Sequence, residues 1–336
     1  LPEKAGIVRA NNLPNVEFVT KYGPKDILTS NIRPYFKKIW HSNKFGGCSN
    51  DVLAIRAKTG THPKFLYYVL SDDSFFNYSV VTSKGTKMPR GDKTAIMQYK
   101  VPCFCVELEE SIAATLSCLD DKIELNNRII ANLEAQAQAI FKSWFVDFEP
   151  FQDGEFEDSE LGLIPKGWKV GTLGEISNIT SGKRPVDKSD GETKDHIYPI
   201  IGASQIMGYT TQELYHTKII VTGRVGTHGI IQRLSKPCWP SDNTLVITSD
   251  YYEFVLSCLR GIDYKSLNRG STQPLITQTD IKNTTILIPN IETLHEFENT
   301  VDPLMELVRH CGDDNVILRQ TRDALLPKLM SGEIEV

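Results

Sequence analysis

Ten residues, Ile112, Leu116, Leu119, Ile123, Asn126, Ile130, Leu133, Ala137, Ile140 and Trp144, recur in alternating steps of four and three. An apolar repeat of 3.5 residues held over this length lays one stripe along a single helix, and the stripe demands a second helix to cover it. The end of the chain repeats the pattern: Leu294, Phe297, Val301, Leu304, Val308, Cys311, Asn315, Leu318, Arg322, Leu325 and Leu329 step by three and four. Two such helices in one chain can satisfy each other. Each seam has a polar interruption, Asn126 in the first and Asn315 in the second, which is either a register device or a simple polar lapse. Gly312, followed by Asp313 and Asp314, is expected to loosen or kink the second helix, because glycine is costly inside a helix.

The segments before the two helices resemble each other. Lys84-Gly85-Thr86-Lys87-Met88-Pro89 matches Arg269-Gly270-Ser271-Thr272-Gln273-Pro274 at an offset of 185. Residues 27–39 match 219–231 at an offset of 192, 48–55 match 239–247, and FKSWF (141–145) and LPKLM (326–330) end the two helices 185 apart. The chain therefore reads as two copies of one unit, an α/β (α+β) domain of short Val/Ile/Thr strands followed by a long helix. The expected division is domain 1 over 1–105, a central helix over 106–149, a Gly-, Pro- and acid-rich linker over 150–168, domain 2 over 169–290 and a C-terminal helix over 291–336. Residues 168–185 have no counterpart in the first copy, so domain 1 is expected to be truncated at its front.

Charge is segregated along the same lines. The net charge of −5 divides into +9 for residues 1–104, −10 for 105–168, +2 for 169–290 and −6 for 291–336. Two strand-rich stretches are basic and two helical ones acidic, as expected if the basic parts face a polyanion. The bland alternative is chance added to the acidic bias of soluble helices. No apolar run approaches a membrane span and the start lacks a secretory pattern, so a cytoplasmic protein is expected. Seven scattered cysteines with no C-x-x-C pair read as reduced thiols.

Catalytic signatures are missing. The sequence holds no G-x-x-x-x-G-K-[ST], H-E-x-x-H or G-x-S-x-G, and its seven histidines lack ligand spacing. Pro185-Val186-Asp187 followed by Glu192-Thr193-Lys194 imitates a metal-dependent nuclease, but these residues share one polar loop, where carboxylates and lysines meet by composition. No catalytic or metal-binding residue is assigned.

The basic loops suit DNA. Arg269 can hold a phosphate or pair with guanine, Gln273 can pair with adenine, and Ser271 and Thr272 are small donors and acceptors. Lys84, Thr86, Lys87 and Arg90 occupy the matching place in copy one. Lys183, Arg184 and Arg224, and Arg33 with Lys37 and Lys38, are further candidates; a solvated charge or a plain turn is the alternative at each. Two readers held apart by helices would recognise two half-sites. A seam from 112 to 144 spans about 50 Å at 1.5 Å per residue, or roughly 15 base pairs.

Four stretches, AQAIFKSWFVDFEPF (137–151), IPKGWKVGTLGEISNITSGKRP (164–185), RGSTQPLITQTDIKNTTILIP (269–289) and LRQTRDALLPKLMSGEI (318–334), resemble the specificity subunit of type I restriction-modification systems. The resemblance implies two target-recognition domains, each reading one half of a split double-stranded DNA site, and two long helices paired antiparallel as a coiled coil. It implies docking of two methylation subunits and of restriction subunits. The chain itself would be non-catalytic within a site-specific deoxyribonuclease and adenine-N6 methyltransferase complex. AdoMet, ATP and Mg²⁺ would be used by the partners alone. Trp144, Phe145 and Phe148 are then expected to be exposed for partner docking, the alternative being that Phe145 and Phe148 pack under the linker. A subunit of a related system that cuts close to its site, an orphan or truncated paralogue, and a coiled-coil scaffold are the rival readings.

Overall fold

The structure is a computed structural model that describes residues 18–225, 229–267 and 275–336. The chain divides into two compact units, residues 1–129 with 310–336, and residues 130–309. Each unit takes one strand-rich fold together with one end of both long helices, so the boundaries cut across the helices instead of falling at their ends.

In the first unit β1 (Thr20–Tyr22) pairs with β4 (Gly46–Cys48), and β2 (Ile27–Ser30) lies between β3 (Ile39–His41) and β5 (Val52–Ile55). Helices α1 (Pro63–Ser71), α2 (Asp73–Val81) and α3 (Lys93–Ile96) follow, then the long α4 (Val106–Phe145). Ile27, Ile39, Leu66, Leu70, Phe75, Phe76 and Ile96 form the core of the sheet side. Phe65, Tyr68 and Val69, on the other face of α1, bury against Ile112 and Leu116 of α4.

The second unit opens with the hairpin β6 (Phe156–Ser159) and β7 (Gly162–Pro165), so the expected linker is ordered structure. Ile164 and Trp168 at its end are buried, which gives this Gly- and Pro-rich stretch an apolar anchor. There follow β8 (Lys169–Thr172), α5 (Leu173–Ile176), β9 (Asn178–Ser181), β10 (Tyr198–Ile201), β11 (Ile206–Thr210), β12 (Ile219–Gly223), β13 (Ile231–Leu234), β14 (Trp239–Pro240) and β15 (Thr244–Thr248). Helices α6 (Tyr252–Gly261) and α7 (Gln278–Lys282), strand β16 (Thr285–Ile288) and the long α8 (Ile291–Ser331) complete it. The main sheet runs β13-β12-β15-β9.

The repeat is visible in the hydrogen bonding. β2 between β3 and β5 matches β12 between β13 and β15; Ile27 faces Ile55, and Ile220 faces Ile247. This sets β2 against β12 at an offset of 193, one more than the sequence match gave, whereas β5 stays at 192. A one-residue slip matters because it exchanges the two faces of a strand. The bridge Ile32–Arg90 recurs as Val225–Leu275, and the α3 cap Asp92 recurs as the α7 cap Thr277. Both long helices are docked by the same device. Glu109 of α4, 2% exposed, accepts the His62 N–H at the start of α1 (2.7 Å), and Glu298 of α8 accepts the Glu253 and Phe254 N–H groups of α6 (3.1 and 2.9 Å). These glutamates supply acceptors to helix termini that have no partner of their own.

The long helices pair antiparallel. In the first unit Ile112 and Leu116 meet Leu326 and Leu329, Arg322 reaches Asp120 at 2.7 Å, and Asn126 donates to Asn315 at 3.1 Å. The seam departs from the expected one at Met305, which is buried in place of Leu304. α8 runs unbroken through Gly312, and through Pro303 and Pro327 as well. Among the described residues no helix is long and apolar enough to cross a membrane.

Candidate nucleic-acid interface

A strand that ends in a loop cannot place that loop alone, because its backbone groups need partners. In the second unit Arg224, just past β12, donates its N–H to Asn243 O (3.0 Å), and its carbonyl accepts the Ile276 N–H (2.9 Å). In the first unit Asn31 does the same at the end of β2: its N–H reaches Asp51 O (2.7 Å) and its carbonyl accepts the Gly91 N–H (2.9 Å). Each copy thus clamps the loop after its central strand to the loop before its short helix.

In the first copy this joins residues 31–38 to residues 84–90. Arg33 donates its N–H to Pro89 O (2.8 Å), and Lys84 and Arg90 exchange backbone hydrogen bonds across the second loop. Arg33 and Lys37 sit in left-handed backbone conformations (φ 51° and 47°), uncommon for non-glycine residues. Between them Tyr35 and Phe36 lie exposed with their ring centroids 4.7 Å apart, and the Lys38 ammonium rests 5.6 Å from the Phe36 ring. The sequence RPYFKK (33–38) carries the signal for this pair by interleaving rings with cations.

Lys84, Thr86, Lys87 and Arg90 are all exposed. Lys84 pairs with Asp92, and Arg90 lies 3.2 Å from Asp51. The Lys84 ammonium, helped by the Ala95 and Thr94 N–H groups, holds the Asp92 carboxyl below its usual range. Lys37 bonds Asp73 at 2.9 Å. Such exposed pairs contribute only ~0–1 kcal/mol and exchange readily for other anions.

In the second copy Arg269, Ser271, Thr272 and Gln273 lie outside the described residues. Their neighbours converge on one hydroxyl: Ser181 Oγ at the end of β9 receives Arg224 Nη1 (3.3 Å) and Gln278 Nε2 (2.8 Å). Among the described residues Arg224 Nε is buried without a hydrogen-bond partner. Lys183 and Arg184 follow at once, both exposed, on a backbone fixed by Lys183 N–H to Pro240 O (3.0 Å) and by Trp239 Nε1 donating to Lys183 O (2.8 Å). Gly182 is required here, since a Cβ would come within 2.2 Å of Ser241 O. Ser181 and Gln278 carried no signal of their own in the sequence; strand pairing unites them.

The nuclease-like Asp187 ties its loop to the end of β11. It accepts from Thr210 Oγ1 (2.6 Å), Thr211 N–H (3.0 Å) and Thr211 Oγ1 (2.6 Å), and these donors hold its carboxyl down to about 2. Glu192 and Lys194 are exposed elsewhere on the loop.

The aromatics expected to be exposed for docking pack inside the second unit instead. Phe145 is 7% exposed, with its ring centroid 4.8 Å from Phe254, 4.9 Å from Phe297 and 5.8 Å from Trp168. Trp144 and Phe148 are half-buried against Phe297 and Trp168. The three rings anchor the helix ends and the β6–β7 hairpin inside the second unit, because Trp168 brings an aromatic surface large enough to occupy them.

The family described as the type I restriction modification DNA specificity domain matches residues 165–306, which hold Ser181, Lys183, Arg184, Arg224 and Gln278. Over these residues the chain is similar to type I restriction-modification specificity subunits. The MjaIX specificity subunit of Methanocaldococcus jannaschii is 29% identical over 308 residues, covering 83% of this chain and 71% of that one. The HindI specificity subunit of Haemophilus influenzae is 25% identical over 361 residues, covering 81% and 77%. A type I S subunit from M. genitalium shares the fold, with a TM-score of 0.62 at 17% identity over 93% of this chain and 84% of that one. The clamp between Arg224 and Ile276 lies within the matched residues.

Proposed function

We propose that the chain reads DNA sequence for a type I restriction-modification system, each recognition fold presenting its clamped loop pair to one half of a bipartite target. The observation that carries this reading is the repetition of the clamp. The same backbone hydrogen bond, 2.9 Å long in each copy, ties the residue that follows the central strand to the residue just before the cap of the short helix. Lys84, Lys87, Arg90, Lys183 and Arg184 suit phosphates, which position a protein on DNA without reading it. Arg224 suits a base edge, and the Tyr35–Phe36 pair suits apolar contact with thymine methyl groups.

In this reading the chain performs no reaction. Methyl transfer and cleavage, with AdoMet, ATP and Mg²⁺, belong to two methylation subunits and to restriction subunits assembled on it. Adenine-methylation mapping of the whole complex tests the proposal, with a bipartite motif and a fixed degenerate spacer as the expected result. Arg224→Ala should weaken or relax one half-site alone, by ~1–3 kcal/mol if it contacts a base. Lys87→Ala should weaken binding to all sequences and lower the salt slope by about one. Partner assembly without DNA selectivity would favour a scaffold.

A further inference from the structure

In the second unit three polar side chains settle the direction of one another's hydrogen bonds. The Ser181 hydroxyl, half-buried at the end of β9, accepts from Arg224 Nη1 (3.3 Å) and from Gln278 Nε2 (2.8 Å). A guanidinium only donates, and a hydroxyl oxygen has two lone pairs and one proton. With both lone pairs engaged, the Ser181 O–H is left to donate to a group outside the three. Gln278, also half-buried, directs its Nε2 at Ser181, and among the described residues its Oε1 accepts from no donor. The cluster therefore offers one donor and one acceptor side by side.

Both groups stand on fixed backbone. Ser181 pairs with Leu245 and Gly223 with Thr244, so Ser181 ends one strand and Arg224 follows another, on either side of β15. Gln278 opens α7, where the Thr277 N–H donates to Asp280 Oδ2 (2.8 Å) and Thr277 Oγ1 accepts from the Asp280 N–H (3.2 Å). The Ile276 N–H, donated to the Arg224 carbonyl at 2.9 Å, holds this helix start against the end of β12. Groups carried by paired strands and capped helices keep their spacing to a ligand better than groups on free loops.

We propose that Ser181 and Gln278 read an adenine in the half-site of the second copy, with the Ser181 O–H donating to N7 and Gln278 Oε1 accepting from the N6 amino group. A glutamine can make both contacts by itself. Here its N–H groups point to Ser181, and the serine supplies the donor in their place. Guanine presents two acceptors on the same edge, so its O6 would meet Oε1, acceptor against acceptor; thymine and cytosine have no N7. The assignment rests on the DNA-reading function proposed above and names one of its bases.

Base analogues test it atom by atom, with the whole methylation complex on its mapped target. At each adenine of that half-site, 7-deazaadenine removes N7 and unsubstituted purine removes the N6 amino group. The methylated adenine is left unaltered, since it leaves the stack to react. At one position each analogue should weaken binding about tenfold. Ser181→Ala should abolish the 7-deaza effect alone, and Gln278→Leu the purine effect alone. Neither change removes a charge, so the salt dependence of binding should stay as it was. Analogue effects that persist in both variants, or variants that weaken all sequences equally, would overturn the proposal. So would a preference for guanine, the pattern of an amide turned the other way round, or a half-site whose only adenine is the methylated one. A complex without any sequence selectivity would instead overturn the DNA-reading function, and this assignment with it.

Discussion

Replacing Asn126 and Asn315 together by leucine should stabilise the helix pair, whereas replacing either one alone should not. The two amides are 1% and 3% exposed, joined by one hydrogen bond of 3.1 Å, and Asn315 also donates to Asn127 at 3.0 Å. Among the described residues Asn126 Oδ1 has no partner, so the layer already carries an unmet acceptor. A single leucine gains ~1.5–3 kcal/mol from burial. It also strands the surviving amide at ~1–3 kcal/mol and crowds its neighbours, so the gains and losses roughly cancel. The double substitution keeps both burial gains and deletes both amides. Net stabilisation of ~2–3 kcal/mol is expected, with a coupling energy of ~1–3 kcal/mol between the sites. Hydrogen exchange of residues 112–126 and 315–329 measures it locally, which matters because a chain of two units need not unfold in one step. Light scattering should then show new oligomers, since a buried asparagine of this kind fixes register. Single effects that sum to the double within ~0.5 kcal/mol, or a less stable double variant, would refute the reasoning.

Phe145→Ala should cost ~3–5 kcal/mol and expose the β6–β7 hairpin to proteolysis, and a loss below ~1 kcal/mol would contradict its burial. Gly182→Ala should leave the sheet folded but displace Lys183 and Arg184, so methylation mapping should show loss confined to one half-site. The two units should respond to acid in opposite senses. Burial, with Lys64 and His62 nearby, pushes His41 down to about 4 from 6.5, so the first unit binds fewer protons folded than unfolded in that window and loses stability as pH falls through it. Burial pushes Glu253 up to about 7 from 4.5, so the second unit binds more protons when folded and gains stability over the same fall. Urea-dependent proteolysis at pH 5 and pH 7, with cuts assigned to each unit, checks the signs; a common direction would refute the assignment.

The long helices and the repeat were legible because both rest on spacing, which sequence carries directly. Position-by-position packing was not. The heptad count placed Leu304 on the seam, whereas the helix turns Met305 inward, since a 3.6-residue turn drifts against a 3.5-residue count. Phe145 and Phe148 looked like surplus apolar surface on a helix end. The hairpin that places Trp168 beside them lies in a stretch whose composition suggested only a linker. The loops resisted in another way. Arg224, Ser181 and Gln278 are 43 to 97 residues apart along the chain, and only the pairing of β12, β15 and β9 brings them to one point. Lys84 and Arg90 were legible as basic residues, but not as cations already matched by Asp92 and Asp51.

The glutamate caps have a consequence for how such chains can be recombined. Glu109 and Glu298 sit on the long helices, 189 residues apart, yet the amides they satisfy begin α1 and α6 of the recognition folds. A chimaera that grafts a foreign recognition fold onto these helices must match the first turn of the incoming helix to a resident glutamate. If the graft shifts by one residue, a carboxylate enters a dry interface without its N–H groups and the helix start loses its acceptor. Joints placed beyond Glu109 and Glu298, with each fold carried as far as its own glutamate, preserve both, so the workable exchange points lie inside the long helices and not at their beginnings.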